Sequence, residues 1–418
     1  MTKKIILVLS LIGILCSCEK KKEPRSKFDG VVDGEELSRG AKPMDEETKD
    51  VKTYEPVWGE THKMEDFVEE FKCVALETTD KSVIGYINQI EIMHDTIFVR
   101  DVWKSKSIRR FDMEGHYLGD IGKIGNGPFE YVEPTDMYVN DSIVLVNDRW
   151  QSKIICFDLS GAPKWEKKMQ FFFNSFAMLE DGYILFQDLA LCNLHIPTVN
   201  GYGLWVCDTT MHITDYGAKE NVEKWGSRGN DFMLHKNGDR LYYCNMVTDT
   251  IYRVDSRNKL TAVMHIKTMD YKDILELDDD KVSKDNFNNG KLCHLSSYNF
   301  LSDSLVIFEA GYTRKRSTTF VNLKSGKTIG VEFEDGHSNM SRLIGLPDIR
   351  GILTTYKGWC VSYKLADMIG SDWVRAQISQ PGYYDGAPEG VKENDMRIME
   401  SVTEESNPVL IFYKMKPW

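Results

Sequence analysis

DTIFVRDVWKSKSIRRFDMEG (residues 95–115) and DSIVLVNDRWQSKIICFDLSG (residues 141–161) decide the fold once one is written above the other. Asp95 meets Asp141, Asp101 meets Asp148, and Trp103 meets Trp150. Phe111-Asp112 meets Phe157-Asp158, and Gly115 meets Gly161. The copies start 46 residues apart and stay aligned within one residue, which marks internal symmetry rather than chance.

Each copy holds two runs of aromatic and β-branched residues around a polar turn, the pattern of paired strands. Weaker copies follow: EDGYILFQD with YGLWVCD, NGDRLYYCN with DTIYRVD, SDSLVIFEA with STTFVNLKSG, and a sixth centred on YKGWCVSYK. Six units of roughly 40–65 residues fill the chain from about residue 80 to its end. A unit of that length holds four short strands and cannot bury both faces of its sheet alone. Radial stacking buries both and leaves only short, protected edges. The predicted fold is therefore all-β: a six-bladed β-propeller of four-stranded antiparallel blades, over residues 56–418. Asn140-Asp141 and Asn237-Gly238 read as tight hairpins between first and second strands. An open ring would expose two sheet edges. The runs EEFKCVALE (69–77) and PVLIFYKMK (408–416) are therefore expected to share the closing blade.

The glycine-rich stretch IGKIGNGPFEY (121–131) asks for a different reading. A dinucleotide fingerprint needs G-x-G-x-x-G between strand and helix, and a phosphate-binding loop of the Walker type needs Gly-Lys-Ser/Thr. Here the order is Gly122-x-x-Gly125-x-Gly127-Pro128, after the strand-like HYLGDI and before another strand. It reads as the crossing from the outer strand of one blade to the inner strand of the next. Glu130 is placed there to accept backbone N–H groups or a partner cation.

The N-terminus begins MTKKIILVLSLIGILCSCEKKK. Two lysines precede an apolar run from Ile5 to Leu15, too short to span a bilayer but suited to a signal-peptide core. Leu15-Cys16-Ser17-Cys18 resembles the bacterial lipobox. The resemblance implies cleavage before Cys18, acylation of that residue, and partnership with a membrane through lipid, since stable anchoring takes more than one chain. Residues 1–17 are then a lipoprotein signal peptide. Residues 18–55, polar and poor in aromatics, read as a flexible tether.

The body carries a formal net charge of −12, and its mean hydropathy is negative. That excludes the basic surface nucleic acid requires, and a broad electrostatic hold on anionic lipid. Seven cysteines remain beyond the lipobox, with no CxxC spacing, so neither a zinc site nor a disulfide framework is read and buried thiols are expected. No metal or cofactor is predicted. ELDDDKVSKDNF (276–287) lacks the Gly and Glu of a calcium loop and reads as an exposed segment. KENDMRIMESVTEES (392–406) reads as a helix packing Met396, Ile398 and Met399 against the propeller edge.

PTDMYVNDSIVLVNDRWQSKIICFDLSG (134–161) resembles the NHL-type propeller repeat. FKCVALETTDKSVIGYI, RRFDMEGHYLGDIGKIGNGPFEY and the terminal NPVLIFYKMK resemble the six-bladed β-propeller lipoproteins of anaerobic Gram-negative gut bacteria, over residues from about 70 to 418. The resemblance implies a fold and an address in the cell envelope, anchored by lipid at the outer membrane; it implies no chemistry.

Propeller topology puts the connections between second and third strands on the same face as the blade-to-blade crossings. Trp103, Lys104, Arg149 and Trp150 should share that rim with Asn126 of the glycine loop. The third blade adds LALCNLHIPTVNGYG with His195, the fourth WGSRGND with Trp225 and Arg228, and the fifth YTRKRS with Arg314 and Arg316. Indoles stack on sugars, and arginine forks bind carboxylates. HExxH, GxSxG and Cys-His signatures are absent from the sequence, so no catalytic residue is named. The expected function is an envelope binding or scaffold module for a glycan, a peptide or an outer-membrane protein. The alternative is an enzyme, a lyase or glycosidase, working in the propeller funnel.

Overall fold

The computed structural model describes residues 27–58, 67–179, 182–188, 192–219, 234–238, 240–244, 250–267, 294–312, 315–334, 353–385 and 389–416. Six four-stranded antiparallel blades form a ring, five of them built from consecutive strands. Blade one holds Gln89–Met93, Thr96–Asp101, Ser107–Asp112 and Tyr117–Asp120. Blade two holds Asp136–Val139, Ile143–Asp148, Lys153–Asp158 and Pro163–Lys168. Blades three, four and five start at Phe173, Leu234 and His294. Blade six takes Thr354–Tyr356, Trp359–Lys364 and Val409–Met415 from the end of the chain, and Val68–Ala75 from near its beginning. The last two pair antiparallel, Ile411 opposite Cys73, so the expected closure is the one found.

The 46-residue repeat has a simple structural origin. His94 and Asp95 form a two-residue hairpin, both with positive φ, whereas blade two uses Asn140, Asp141 and Ser142. The following connection is 102–106 in blade one and one residue shorter, 149–152, in blade two. The insertion and the deletion cancel, which is why the alignment drifts by one residue and returns.

Second strands are apolar on both faces because each side meets another blade. Ile97 and Val99 pack with Val361, Leu410 and Phe412 of blade six. Phe98, between them in sequence, packs with Met137, Val139 and Val144 of blade two. Leu145 joins Phe173, Phe176 and Phe186 of blade three. Each such side chain contributes about 1.5–3 kcal/mol on burial, and none of it is available to a lone blade.

Residues 28–54 differ from the flexible tether expected of them. Phe28, Leu37, Met44 and Tyr54 are buried, and the segment forms a strap around the outside of the ring. Lys42–Pro43 pairs parallel with the outer strand of blade three, Ile213–Lys219. Asp45–Glu47 and Thr53–Tyr54 pair parallel with the outer strand of blade four, Lys259–Ile266. Val57 then meets blade five, its N–H donating to Thr319 Oγ1 (3.0 Å) and its carbonyl accepting from Ser317 Oγ. The chain finally enters blade six. A polar segment that cannot fold alone can still be held this way, because an outer strand is stabilised through its backbone and needs few apolar residues.

Between the second and third strands of blade six lie three helices, Ala366–Gly370, Asp372–Ile378 and Val391–Ser401. The last is the helix expected at 392–406. Its Ile398 and Met399 are buried, but Met396 faces solvent. Arg397 Nη2 donates to the Cys73 carbonyl at 2.8 Å, fixing the helix to the outermost strand of the closing blade. No described helix is long and apolar enough to cross a membrane.

Candidate functional site

The two faces of the ring are built differently. One carries short hairpins, where an aspartate turns the chain: Asp158 Oδ1, for example, accepts from the N–H groups of Ser160 (2.8 Å) and Ala162 (2.9 Å). The other carries the longer connections and the crossings, and the helical insertion leaves and rejoins blade six there; of the residues singled out in sequence, it holds Trp103, Lys104, Asn126, Arg149, Trp150 and His195.

Asp101 and Asp148 organise this loop face. Asp101 Oδ2 accepts from Gly85 N (2.8 Å) and Ser105 N (3.0 Å), and Oδ1 accepts from Lys104 N (2.9 Å). Burial pushes its carboxyl up, but these N–H groups outweigh burial and hold it below the usual carboxylate range. Asp148 repeats the arrangement, accepting from Val132 N at 2.7 Å and from Gln151 N at 3.1 Å. Each aspartate ties a crossing to the turn that follows its own strand.

Those turns present Trp103 and Trp150, which are 72% and 68% exposed. Lys104 is exposed beside Trp103, and Asn126 is exposed in the crossing. Gln151 Nε2 donates to the carbonyls of Gly125 and Glu130, both at 3.2 Å, which sets Asn126 next to the Arg149–Trp150 turn. Lys106 pairs with Glu133 at 3.3 Å, so the crossing also touches the Trp103 turn. Arg149 is half-buried; its Nη2 reaches Asn174 Oδ1 at 3.4 Å, and its Nε has no hydrogen-bond partner among the described residues. Trp103, Lys104, Asn126, Arg149 and Trp150 thus belong to one connected set of loops.

The glycine loop is a crossing, as its sequence implies. Glu130 Oε2 accepts from Gly127 N at 2.8 Å, and Lys123 lies 2.9 Å from Oε1. Lys123 and the Gly127 N–H together hold that carboxyl below its ordinary range. Gly122 has φ +65°, and a Cβ there would lie 2.8 Å from the Phe157 ring. A Cβ at Gly125 would lie 2.0 Å from Glu130 Oε2. The glycines make room for an internal carboxylate and an aromatic ring, not for a phosphate.

His195 lies elsewhere. Its Nε2–H donates to the Gln170 carbonyl at 2.9 Å, and its ring lies 5.4 Å from that of Phe28, which covers it. Phe28 also meets Phe172 at 5.0 Å, and Lys27 sits 5.3 Å over both phenylalanine rings. His195 therefore seats the start of the strap. Trp225, Arg228 and Arg314, like Cys18, lie outside the described residues, as does the acid-rich segment 276–287; Arg316 lies on a described strand, Lys315–Asn322.

A second polar layer lies beneath the loops, one residue before the aspartate in three second strands. Arg100 Nε donates to Gln89 Oε1 (2.8 Å), and Nη1 to the Thr135 carbonyl of the next blade (2.7 Å). Asn147 is buried, and among the described residues neither its Oδ1 nor its Nδ2 has a partner. Gln187 Oε1 is likewise buried and unpartnered. Opposite Asn147, Asp136 Oδ2 accepts from Ser175 Oγ of blade three at 2.8 Å. Burial pushes the Asp136 carboxyl up to about 6 against the pull of Arg100. The signal was present in sequence as a polar residue before the last aspartate of TIFVRD, IVLVND and ILFQD. At the hairpin end the channel is bridged: Lys236 Nζ donates to the Val139 carbonyl at 2.8 Å, from blade four to blade two. Among the described residues no cluster of His, Cys, Asp or Glu is arranged to hold a metal.

Residues 55–414 match the family model described as Domain of unknown function (DUF4934). No curated protein matches the chain. Among solved structures, a Bacteroides fragilis protein named as exported superposes with a TM-score of 0.69 at 15% identity, over 87% of this chain and 99% of its own. A Bacteroides vulgatus member of the DUF4221 family is similar at 11% identity and a TM-score of 0.42, over 84% of this chain and 97% of its own. The first of these likenesses bears on the fold alone.

Proposed function

We propose that this chain, which belongs to the DUF4934 family, is an envelope lipoprotein whose loop face binds a glycan, a peptide or a protein partner. The address rests on the lipobox-like Leu15-Cys16-Ser17-Cys18 and on the likeness to a protein named as exported. Mass spectrometry of the mature N-terminus tests it: acyl groups on Cys18 are expected.

The binding role rests on one observation. Two indoles at equivalent places in adjacent blades are exposed, and the core does not hold them; the aspartates behind them do. Stacking is worth about 0.5–1.5 kcal/mol per aromatic pair. Two such contacts would change an affinity by roughly five- to hundredfold. The test is a glycan and peptide array probed with the native protein and with Trp103→Ala and Trp150→Ala. Weakened binding at an unchanged melting temperature is expected. A lowered melting temperature with binding intact would return both residues to a structural role.

An enzymatic reading would look to Asp136, whose carboxyl is poised near neutrality. Its hydrogen bonds run to Ser175 and Phe176 of the adjacent blade, which makes it a tie between blades.

A further inference from the structure

Exposed apolar side chains are distributed unevenly over the described residues. Eleven large hydrophobic residues are exposed: six lie in the crossings and connections of the loop face, Val83, Tyr86, Trp103, Ile124, Trp150 and Leu194, and three, Met368, Trp373 and Met396, lie in the helical insertion that leaves and rejoins blade six at that face. The other two, Val31 and Leu118, lie in the strap and in an outer strand; none lies in a hairpin of the opposite face. Single exposed hydrophobics are ordinary, but a one-sided set marks a surface that meets something apolar.

The strap says what that is. It begins on the loop face, where Phe28 is buried against Phe172 and His195. Only residues 19–26 separate Cys18 from Lys27. At 3.3–3.6 Å per residue they reach no more than about 30 Å. A tether of 38 residues would set no such bound; this one keeps the start of the strap, on the loop face, within about 30 Å of the bilayer.

We infer that the loop face rests on the lipid bilayer that holds the anchor, with Trp373 and Met368 of the helical insertion in the interfacial layer. The inference builds on the lipoprotein reading above. Trp373 is 70% exposed and Met368 is 62% exposed. Trp suits the boundary between headgroups and acyl chains, where its ring is buried and its N–H stays hydrated. The contact is aromatic and not electrostatic, in keeping with a net charge of −12. Trp103 and Trp150 then face the narrow space between body and membrane, and the ligand they meet is one displayed at the bilayer surface.

The experiment uses the full, lipidated protein in phosphatidylcholine vesicles whose acyl chains are brominated, with ordinary vesicles as the reference. Tryptophan emission is expected to fall in the brominated vesicles, and Trp373→Phe should abolish most of that fall without changing the melting temperature. Equal emission in both vesicles, with acyl groups found on Cys18, would overturn the orientation and leave the anchor standing. Quenching that persists in Trp373→Phe would remove the insertion from the membrane. A detergent-solubilised dimer that Trp373→Ala disperses would assign this face to a second copy of the chain. Absence of acyl groups on Cys18 would end the anchor reading and this inference with it.

Discussion

Asp101 gathers backbone N–H groups from two separate segments onto one carboxylate: Gly85 from the crossing, and Lys104 and Ser105 from the turn. Replacing it by Ala leaves those donors unpaired in a buried place, and a loss of about 2–4 kcal/mol is expected in urea unfolding. Its pH dependence follows from the depressed folded value. The stabilisation is complete above the unfolded carboxyl pKa of about 3.9 and is lost as pH falls through the lower folded value. Asp136 works in the opposite sense. Its folded carboxyl titrates near 6, above the unfolded one, so the ionised form is the costly one. As pH falls from 7 to 4 the folded protein takes up a proton that the unfolded chain does not, and Asp136 becomes less destabilising. Asp136→Asn is therefore expected to raise stability at pH 7–8 by up to about 3 kcal/mol, with the gain vanishing towards pH 4. Melts of both proteins across that range check the sign. At this scale the sequence showed the repeated tryptophans and aspartates, because they recur in register. It concealed the polar layer, because Arg100, Asn147 and Gln187 are three different residue types at one structural position, and each alone reads as the frayed end of an apolar run.

Blades were legible as elements because each second strand is an apolar run bounded by turn residues, and a strand packed on both faces must be one. The strap was not. It contributes four spaced large apolar residues that are buried, Phe28, Leu37, Met44 and Tyr54, to three different neighbours, and no periodicity connects them. Its pairing energy is in backbone hydrogen bonds, which composition does not reveal. The two short helices at Ala366–Gly370 and Asp372–Ile378 escaped for a related reason: they are one or two turns long and are held by packing rather than by propensity. Met44 is the strap's central contact, lying against Gly217 and near Leu260 of blades three and four. Met44→Ala should cost about 2–3 kcal/mol. It should also open the strap to protease between residues 27 and 58 while the ring survives. Cleavage confined to that segment, read by mass spectrometry, is the expected outcome; cleavage inside the blades at the same rate would mean that the strap and ring unfold together.

The whole molecule closes on itself through one strand. Val409–Met415 lies between Trp359–Lys364 and Val68–Ala75, so the end of the chain is an interior member of blade six and the beginning is its edge. Asn407, just before it, is buried and locks the crossing into blade one: its Oδ1 accepts from Ile84 N at 2.7 Å, and its Nδ2 donates to the carbonyls of Glu77 and Ser82. Removing residues 407–418 therefore does more than trim an end. It detaches Val68–Ala75 from its partner, exposes the apolar faces of blades five and one that Ile411 and Phe412 cover, and leaves two sheet edges unpaired. A linear array of blades could lose one end and keep the rest, since each unit leans only on its neighbours. A closed ring cannot, because every blade has two neighbours and the lost contacts have no substitute. The truncated protein is expected to lose its melting transition as a unit, including signals from Trp205, buried in blade three on the far side of the ring. A truncated protein that melts at the parent temperature, or in which Trp205 reports a separate intact transition, would show that closure contributes little and that the blades stand as independent pairs.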